Sequence, residues 1–134
     1  MTVLLDTHAV VWYATEDARL GRRSRSIANA AASSGMLAVS AVSFWEIALL
    51  AAKKRLQLFD SPAVLRALLL DSGIHEFALT GDIALLSVEL SLHGDPADRF
   101  IAATAIVHRA TLVTADQRLL GLRHRGLKRQ NASR

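Results

Sequence analysis

An α/β domain, with a parallel sheet covered by helices on both faces, is the expected fold of this chain. Its predicted strands are unbroken apolar runs rather than alternating ones, the mark of strands buried on both sides. Those runs alternate with stretches of helical periodicity, as in a fold that repeats β and α units. At 134 residues the chain has the size of one domain with a substantial core.

Thr2 to Leu5 is a short buried strand, and His8 to Ala14 a short helix with Val11 and Trp12 facing inward. Arg22 to Ser33 is alanine-rich and helical, ending near Gly35. Met36 to Ser40 is the second apolar strand. Ser43 to Arg55 is helical, because Phe44, Ile47, Ala48 and Ala51 recur at the i, i+3, i+4, i+7 spacing. Leu56 to Phe59 is extended or a turn. Ser61-Pro62 opens a helix with a serine cap and a first-turn proline, running to about Ser72 and stopped by Gly73. Ile74 to Leu79 is the third strand, and Thr80 caps a helix to about Leu92. Asp95-Pro96 caps the next helix, through Arg109, and Ala110 to Val113 is the fourth strand. Gln117 to Leu122 is a last short helix.

Composition narrows the function. Hydrophobic residues make up 51% and charged residues 21%, which excludes a disordered chain. The absence of cysteine excludes disulfides and thiolate metal sites and fits a reducing cytoplasm. The N-terminus lacks a basic region and Asp6 breaks its apolar run, so no signal peptide is expected. The most membrane-like window, Met36 to Ala52, is short and contains Ser40, Ser43 and Glu46, so it is read as strand followed by helix. The net charge of +4 is unevenly spread, with Arg19, Arg22, Arg23 and Arg25 in one cluster and Lys53, Lys54 and Arg55 in another. After Asp116 there is no acid at all, but six basic residues follow from Arg118 to Arg134. Polyanions such as nucleic acid are the natural partners of such a surface, although a solvated basic face has the same composition.

Four acids fall where predicted strands give way to helices. Asp6 ends the first strand, Glu46 follows the second, Asp98 stands in the first turn of the helix opened by Asp95-Pro96, and Asp116 follows the fourth strand. In open parallel sheets that edge is where ligands bind. Each acid also has a local explanation. Asp6 and Asp116 can cap helices, Ser43-x-x-Glu46 has the form of a capping box, and Asp98 lies near a positive helix end. Glu46 fits the local account least well, since its surroundings are apolar and the next basic residue is Lys53.

If all four meet, their repulsion decides what else must be present. At ~6 Å and an effective dielectric of ~20, each pair repels by about 3 kcal/mol. Six pairs sum to roughly 15–20 kcal/mol, above the ~5–15 kcal/mol by which a domain is usually stable. A divalent cation compensates compactly, and an all-oxygen donor set selects Mg²⁺ or Mn²⁺ over zinc. The five histidines, His8, His75, His93, His108 and His124, form no H-x-x-x-H pair, with His8 and His93 near enough for a supporting role. Trp12, Trp45 and Phe100 are assigned to the core rather than to base stacking. An aspartate-nucleophile phosphatase would need D-x-D, but His8 stands at the second position. A receiver domain would need a lysine after the last strand, and none lies between Lys54 and Lys128.

Taken together, Asp6, the S-F-W-E-I-A stretch holding Ser43 and Glu46, H-G-D-P-A-D-R-F-I-A-A-T-A from His93 to Ala105, and L-V-T-A-D from Leu112 to Asp116 resemble a PIN domain. More narrowly, they resemble the VapC-type toxins of bacterial toxin–antitoxin pairs. The resemblance implies a three-layer α/β/α sandwich with a central parallel sheet of four to five strands. It implies a Mg²⁺- or Mn²⁺-dependent endoribonuclease, using one or two ions and a metal-activated water. Carried across by position, the catalytic and metal-binding set is Asp6, Glu46, Asp98 and Asp116, with Asp95, Thr114, Arg99 and His8 accessory. Arg99 would contact phosphate or pair with Asp95. The implied partners are a VapB-type antitoxin, a second copy of the chain, and structured RNA of the tRNA or ribosomal class, cut in the cytoplasm. A PIN-like module that binds RNA or protein without cutting is the alternative. The domain is expected over residues 1–130, with 131–134 a loose basic tail, because no last strand is visible in Gly126 to Gln130.

Overall fold

The computed structural model describes residues 1–92 and 94–134. Its elements are β1 (Val3–Leu5), α1 (Thr7–Ala14), α2 (Arg22–Ser33), β2 (Leu37–Ser40), α3 (Ala41–Ala52) and α4 (Pro62–Asp71). They continue with β3 (His75–Phe77), α5 (Gly81–Glu89), α6 (Pro96–Val107), β4 (Thr111–Thr114), α7 (Gln117–Leu120) and β5 (Lys128–Asn131). The five strands form one parallel sheet in the order β3-β2-β1-β4-β5. Helices lie on both faces, as the buried central strands β1, β2 and β4 require.

Successive residues of each strand point to opposite faces, so one strand feeds two cores. Val3, Leu5, Leu37, Val39 and Val113 pack with α1, α2 and Leu69 of α4. Leu4, Ala38 and Leu112 face the other way, against Ile83 of α5 and Ile101 of α6. Ala97, Ala102, Ala103 and Ala105 of α6 are fully buried, and such small side chains let that helix lie close to its neighbours.

The chain moves outward from β1 to β2 and β3, then returns to the far side of β1 as β4 and β5. The connections leaving β1 and β4 therefore diverge. A crevice opens between them at the strands' carboxyl ends, the usual ligand position of an open α/β sheet. Among the described residues no helix is long and apolar enough to cross a membrane.

The C-terminal segment differs from expectation. Lys128-Arg129-Gln130-Asn131 is a strand with no apolar side chain, paired to β4 in the register Thr111↔Lys128 through Thr114↔Asn131. Its place is fixed by buried flanks, Leu127 and Ala132. Residues 131–134, expected to be loose, close onto the start of α2. The Gly21 N–H donates to the Ala132 carbonyl at 2.7 Å, and the Ser24 N–H to the Arg134 carbonyl at 3.0 Å. A Cβ at Gly21 would run into the Arg134 backbone. Gly21→Ala should therefore lower stability by about 1–3 kcal/mol, the usual penalty of overpacking, read as a lower urea midpoint. An unchanged midpoint would show that the tail is not held there.

Candidate active site

The crevice is a cavity of about 410 Å³ lined by Asp6, Glu46, Asp95, Asp98 and Asp116, with His8, Trp12 and Arg118 at its walls. Five carboxylates from four separate segments of the chain thus face one space.

Asp6 follows β1 directly and is almost fully buried. One oxygen accepts the Ala9 N–H at 2.9 Å and so caps α1. The other accepts a short hydrogen bond from the Thr114 hydroxyl at the end of β4. Thr114 Oγ1 in turn accepts the Asp116 N–H at 3.0 Å. Strands β1 and β4 are thus clasped at the point where their connections part. Burial pushes the Asp6 carboxyl above its ordinary pKa, with the bonds from Thr114 and Ala9 opposing.

Glu46 stands in the middle of α3, not in its first turn. Ser40 caps that helix by accepting the Val42 N–H at 3.1 Å. Ser43, expected to begin a capping box, is buried and accepts a hydrogen bond from Thr7 at 3.2 Å. The box does not form, and Glu46 faces the cavity. Burial raises its pKa, the neighbouring Thr7 hydroxyl lowers it, and the nearby Asp95 carboxyl raises it again.

Asp98 lies in the first turn of α6, whose cap is Asp95, accepting the Ala97 N–H at 3.0 Å. Its carboxyl is pushed up to about 7, first by burial and then by the charges of Asp116, Glu46 and Asp95. Asp116 caps α7 through the N–H groups of Arg118 (2.8 Å) and Leu119 (3.3 Å). Burial pushes it upward, but the Arg118 side chain and those two N–H groups hold it below the ordinary value.

The other expected residues divide. Asp95 and His8 line the cavity, and Thr114 lies just beneath it. Arg99 is not part of the lining; Arg118 occupies the wall instead, donating to Asp98 at 3.0 Å and Asp116 at 3.3 Å. His93 lies outside the described residues. Trp12 packs on the core while also lining the cavity, with the Arg19 guanidinium 5.3 Å from its ring centroid. Trp45 is 55% exposed, contrary to its assignment to the core, because the apolar side of α3 is wider than the surface it buries. It forms an apolar surface beside the site with Val42, Leu79, Pro96 and the half-buried Phe100. Arg118 escaped the sequence reading. The usable signal was Asp116-x-Arg118, since a cap at Asp116 places Arg118 in the first turn of α7.

The donor set fits a divalent ion in chemistry: hard oxygens, no thiol, and crowding that raises Asp98. The carboxylates share a cavity but are not drawn to one point. Among the described residues, no three acids or histidines are grouped closely enough to hold an ion.

A family model described as PIN domain matches residues 3–124. The chain belongs to the PIN-domain family. It is 41% identical to Ribonuclease VapC22 of Mycobacterium tuberculosis over 125 residues, spanning 92% of this chain and 93% of that protein. Among solved structures it is similar to VapBC2 of Rickettsia felis, bound to a DNA fragment from their promoter. That likeness has a TM-score of 0.71 at 20% identity and covers 98% of each chain. It is also similar to a toxin–antitoxin complex from Klebsiella pneumoniae, with a TM-score of 0.59 at 25% identity over 94% of this chain and 95% of that one. The five-stranded parallel sheet of this PIN domain agrees with the fold expected from the sequence.

The raised Asp98 pKa carries a stability consequence. The protonated carboxyl is the form the fold favours. That stabilisation is fully present below the ordinary 3.8 and is lost as the pH rises through about 7. Metal-free protein should therefore melt at lower temperature at pH 8 than at pH 5, and Asp98→Asn should flatten that slope. Thermal scans in EDTA across this range check it, and an equally steep slope in the variant would assign the effect elsewhere.

Proposed function

We propose that this protein is a divalent-metal-dependent endoribonuclease, the VapC-type toxin of a toxin–antitoxin pair. The observation that carries the reading is the gathering of Asp6, Glu46, Asp98 and Asp116 in one cavity at the sheet's switch point. Similarity to a ribonuclease over nearly the whole chain supports it.

Asp6 and Asp98 are the principal ligands for Mg²⁺ or Mn²⁺, with Glu46 and Asp116 completing one or two sites. When bound there, such an ion lowers the pKa of a water and offsets charge developing on the phosphoryl and leaving oxygens. The chain's own groups do the rest. Thr114 and the Ala9 N–H fix the orientation of the Asp6 carboxylate. Glu46, raised in pKa by burial and facing the cavity beside Thr7, is suited to orient the attacking water and accept its proton. Asp95 supports Glu46 from the start of α6. Arg19, at the Trp12 wall, and the other basic clusters attract the RNA backbone without reading its sequence. Bases must be unstacked to be read, so loops of tRNA or ribosomal RNA are the expected cut sites.

A VapB-type antitoxin that blocks this cavity is the expected partner, in the cytoplasm where the RNA lies. A homodimer belongs to the same reading, and the apolar surface around Trp45 is available for it.

Purified protein should cut total RNA with Mg²⁺ or Mn²⁺ and stop with EDTA. Asp98→Asn should cut at least about a hundredfold more slowly while keeping its fold, as expected when a ligand rather than an outer-shell group is lost. Cutting at the wild-type rate by that variant would remove Asp98 from the site. Wild type that binds RNA but never cuts it with either metal would favour the non-catalytic module.

A further inference from the structure

Arg118 stands where a cation is needed. The cavity is lined by five carboxylates, and Arg118 is the one arginine or lysine among the described residues that line it. Its guanidinium donates to Asp98 on α6 and to Asp116 at the start of α7, twenty and two residues away. It thereby joins two of the walls from which the site is built. The side chain is 52% exposed, so it lies across the mouth of the cavity rather than within the core.

The loop before α6 is shaped around it. Gly94 has φ +106°, and a Cβ there would collide with Nη1 of Arg118. The missing side chain leaves the space in which the guanidinium lies. In this arrangement Asp98 already has an oxygen engaged, and no ligating trio of acids or histidines is assembled among the described residues.

We propose that Arg118 is a resident counter-ion of the carboxylate cluster, occupying the Asp98–Asp116 side until a divalent cation displaces it. The proposal rests on the metal-binding reading of the cavity. A guanidinium supplies one positive charge and hydrogen bonds at fixed angles, so it can neutralise two acids without drawing the others in. A divalent ion supplies two charges at one point and accepts several oxygens at once. Both aim at Oδ2 of Asp98 and of Asp116, so an ion ligated on that side meets the guanidinium in the same place. Arg118 is a positioning residue in this scheme: it keeps the acids spaced and the fold tolerant of their charge while no metal is bound, and it sets how much metal is needed to convert the site.

Displacement differs from simple charge repulsion between Arg118 and the ion, and Arg118→Lys separates the two. Arg118→Ala removes both the charge and the occupant. Arg118→Lys keeps the charge but loses the planar fork that spans Asp98 and Asp116. The measurement is Mn²⁺ binding to the full chain by titration calorimetry, without RNA, with melting curves to confirm folding. Each variant should bind Mn²⁺ about three- to tenfold more tightly than wild type, the range expected for releasing a pair of partly exposed ion pairs. In wild type, the Arg118 side-chain Nε–H resonance should move with the same midpoint as Mg²⁺ binding. Tighter binding in Arg118→Ala alone would reduce Arg118 to a charge acting at a distance and overturn displacement. Unchanged or weaker binding in both variants would also overturn it. Wild type that binds no Mn²⁺ would overturn the metal site itself, a failure distinguishable from the other two.

Discussion

Asp98 bears the clearest mark of the constraint under which this molecule is built. It is buried among like charges, and its carboxyl keeps its proton up to about 7. A parallel sheet with helices on both faces delivers the carboxyl ends of its strands to one rim, and acids placed there cannot avoid one another. The surroundings are ways of tolerating that crowding. Thr114 and a helix N-terminus hold Asp6, two N–H groups and a guanidinium hold Asp116, and burial beside Asp95 raises the pKa of Glu46 toward its neutral form. Each device neutralises part of the charge by a different means, and none removes it.

Capping and site membership prove compatible. A carboxylate has two oxygens, and at Asp6 one serves the start of α1 while the other receives Thr114 from β4. Asp116 divides similarly between α7 and Arg118, and Asp95 caps α6 while lining the cavity. A helix start at a sheet edge offers N–H groups to fix one oxygen and leaves the other for a second partner. The cap thereby fixes the orientation of a group that ligand chemistry requires to be rigid.

What the sequence disclosed follows the strength of each local signal. The runs at Val3–Leu5, Leu37–Ser40 and Thr111–Thr114 were legible because double burial admits little but apolar residues. Lys128–Asn131 was not, since an edge strand can be wholly polar and is placed by its flanks. The α3 cap lies three residues before the expected Ser43, because Ser40 and Ser43 are both capable caps and only the tertiary partner Thr7 claims the second. Trp45 was assigned inward on hydrophobicity alone, which says nothing about how much of a helix a sheet can cover. The acids could be found by their positions after strands. Arg118 carries a weaker signal, Asp116-x-Arg118 at a helix start, which in a chain rich in arginine does not by itself tell a cation facing acids from one facing water.

The sheet's two margins carry a consequence for assembly. β3 is three residues long, with Glu76 tied to Arg66 at 2.7 Å, and β5 presents Lys128 and Arg129 outward before the chain turns onto α2. Neither border invites another strand, since one is brief and ion-paired and the other repels its own kind. Enlargement of the ribbon from chain to chain is thereby discouraged at both ends. The borders thus guard against one specific failure, the edge-to-edge stacking of one copy's sheet on another's.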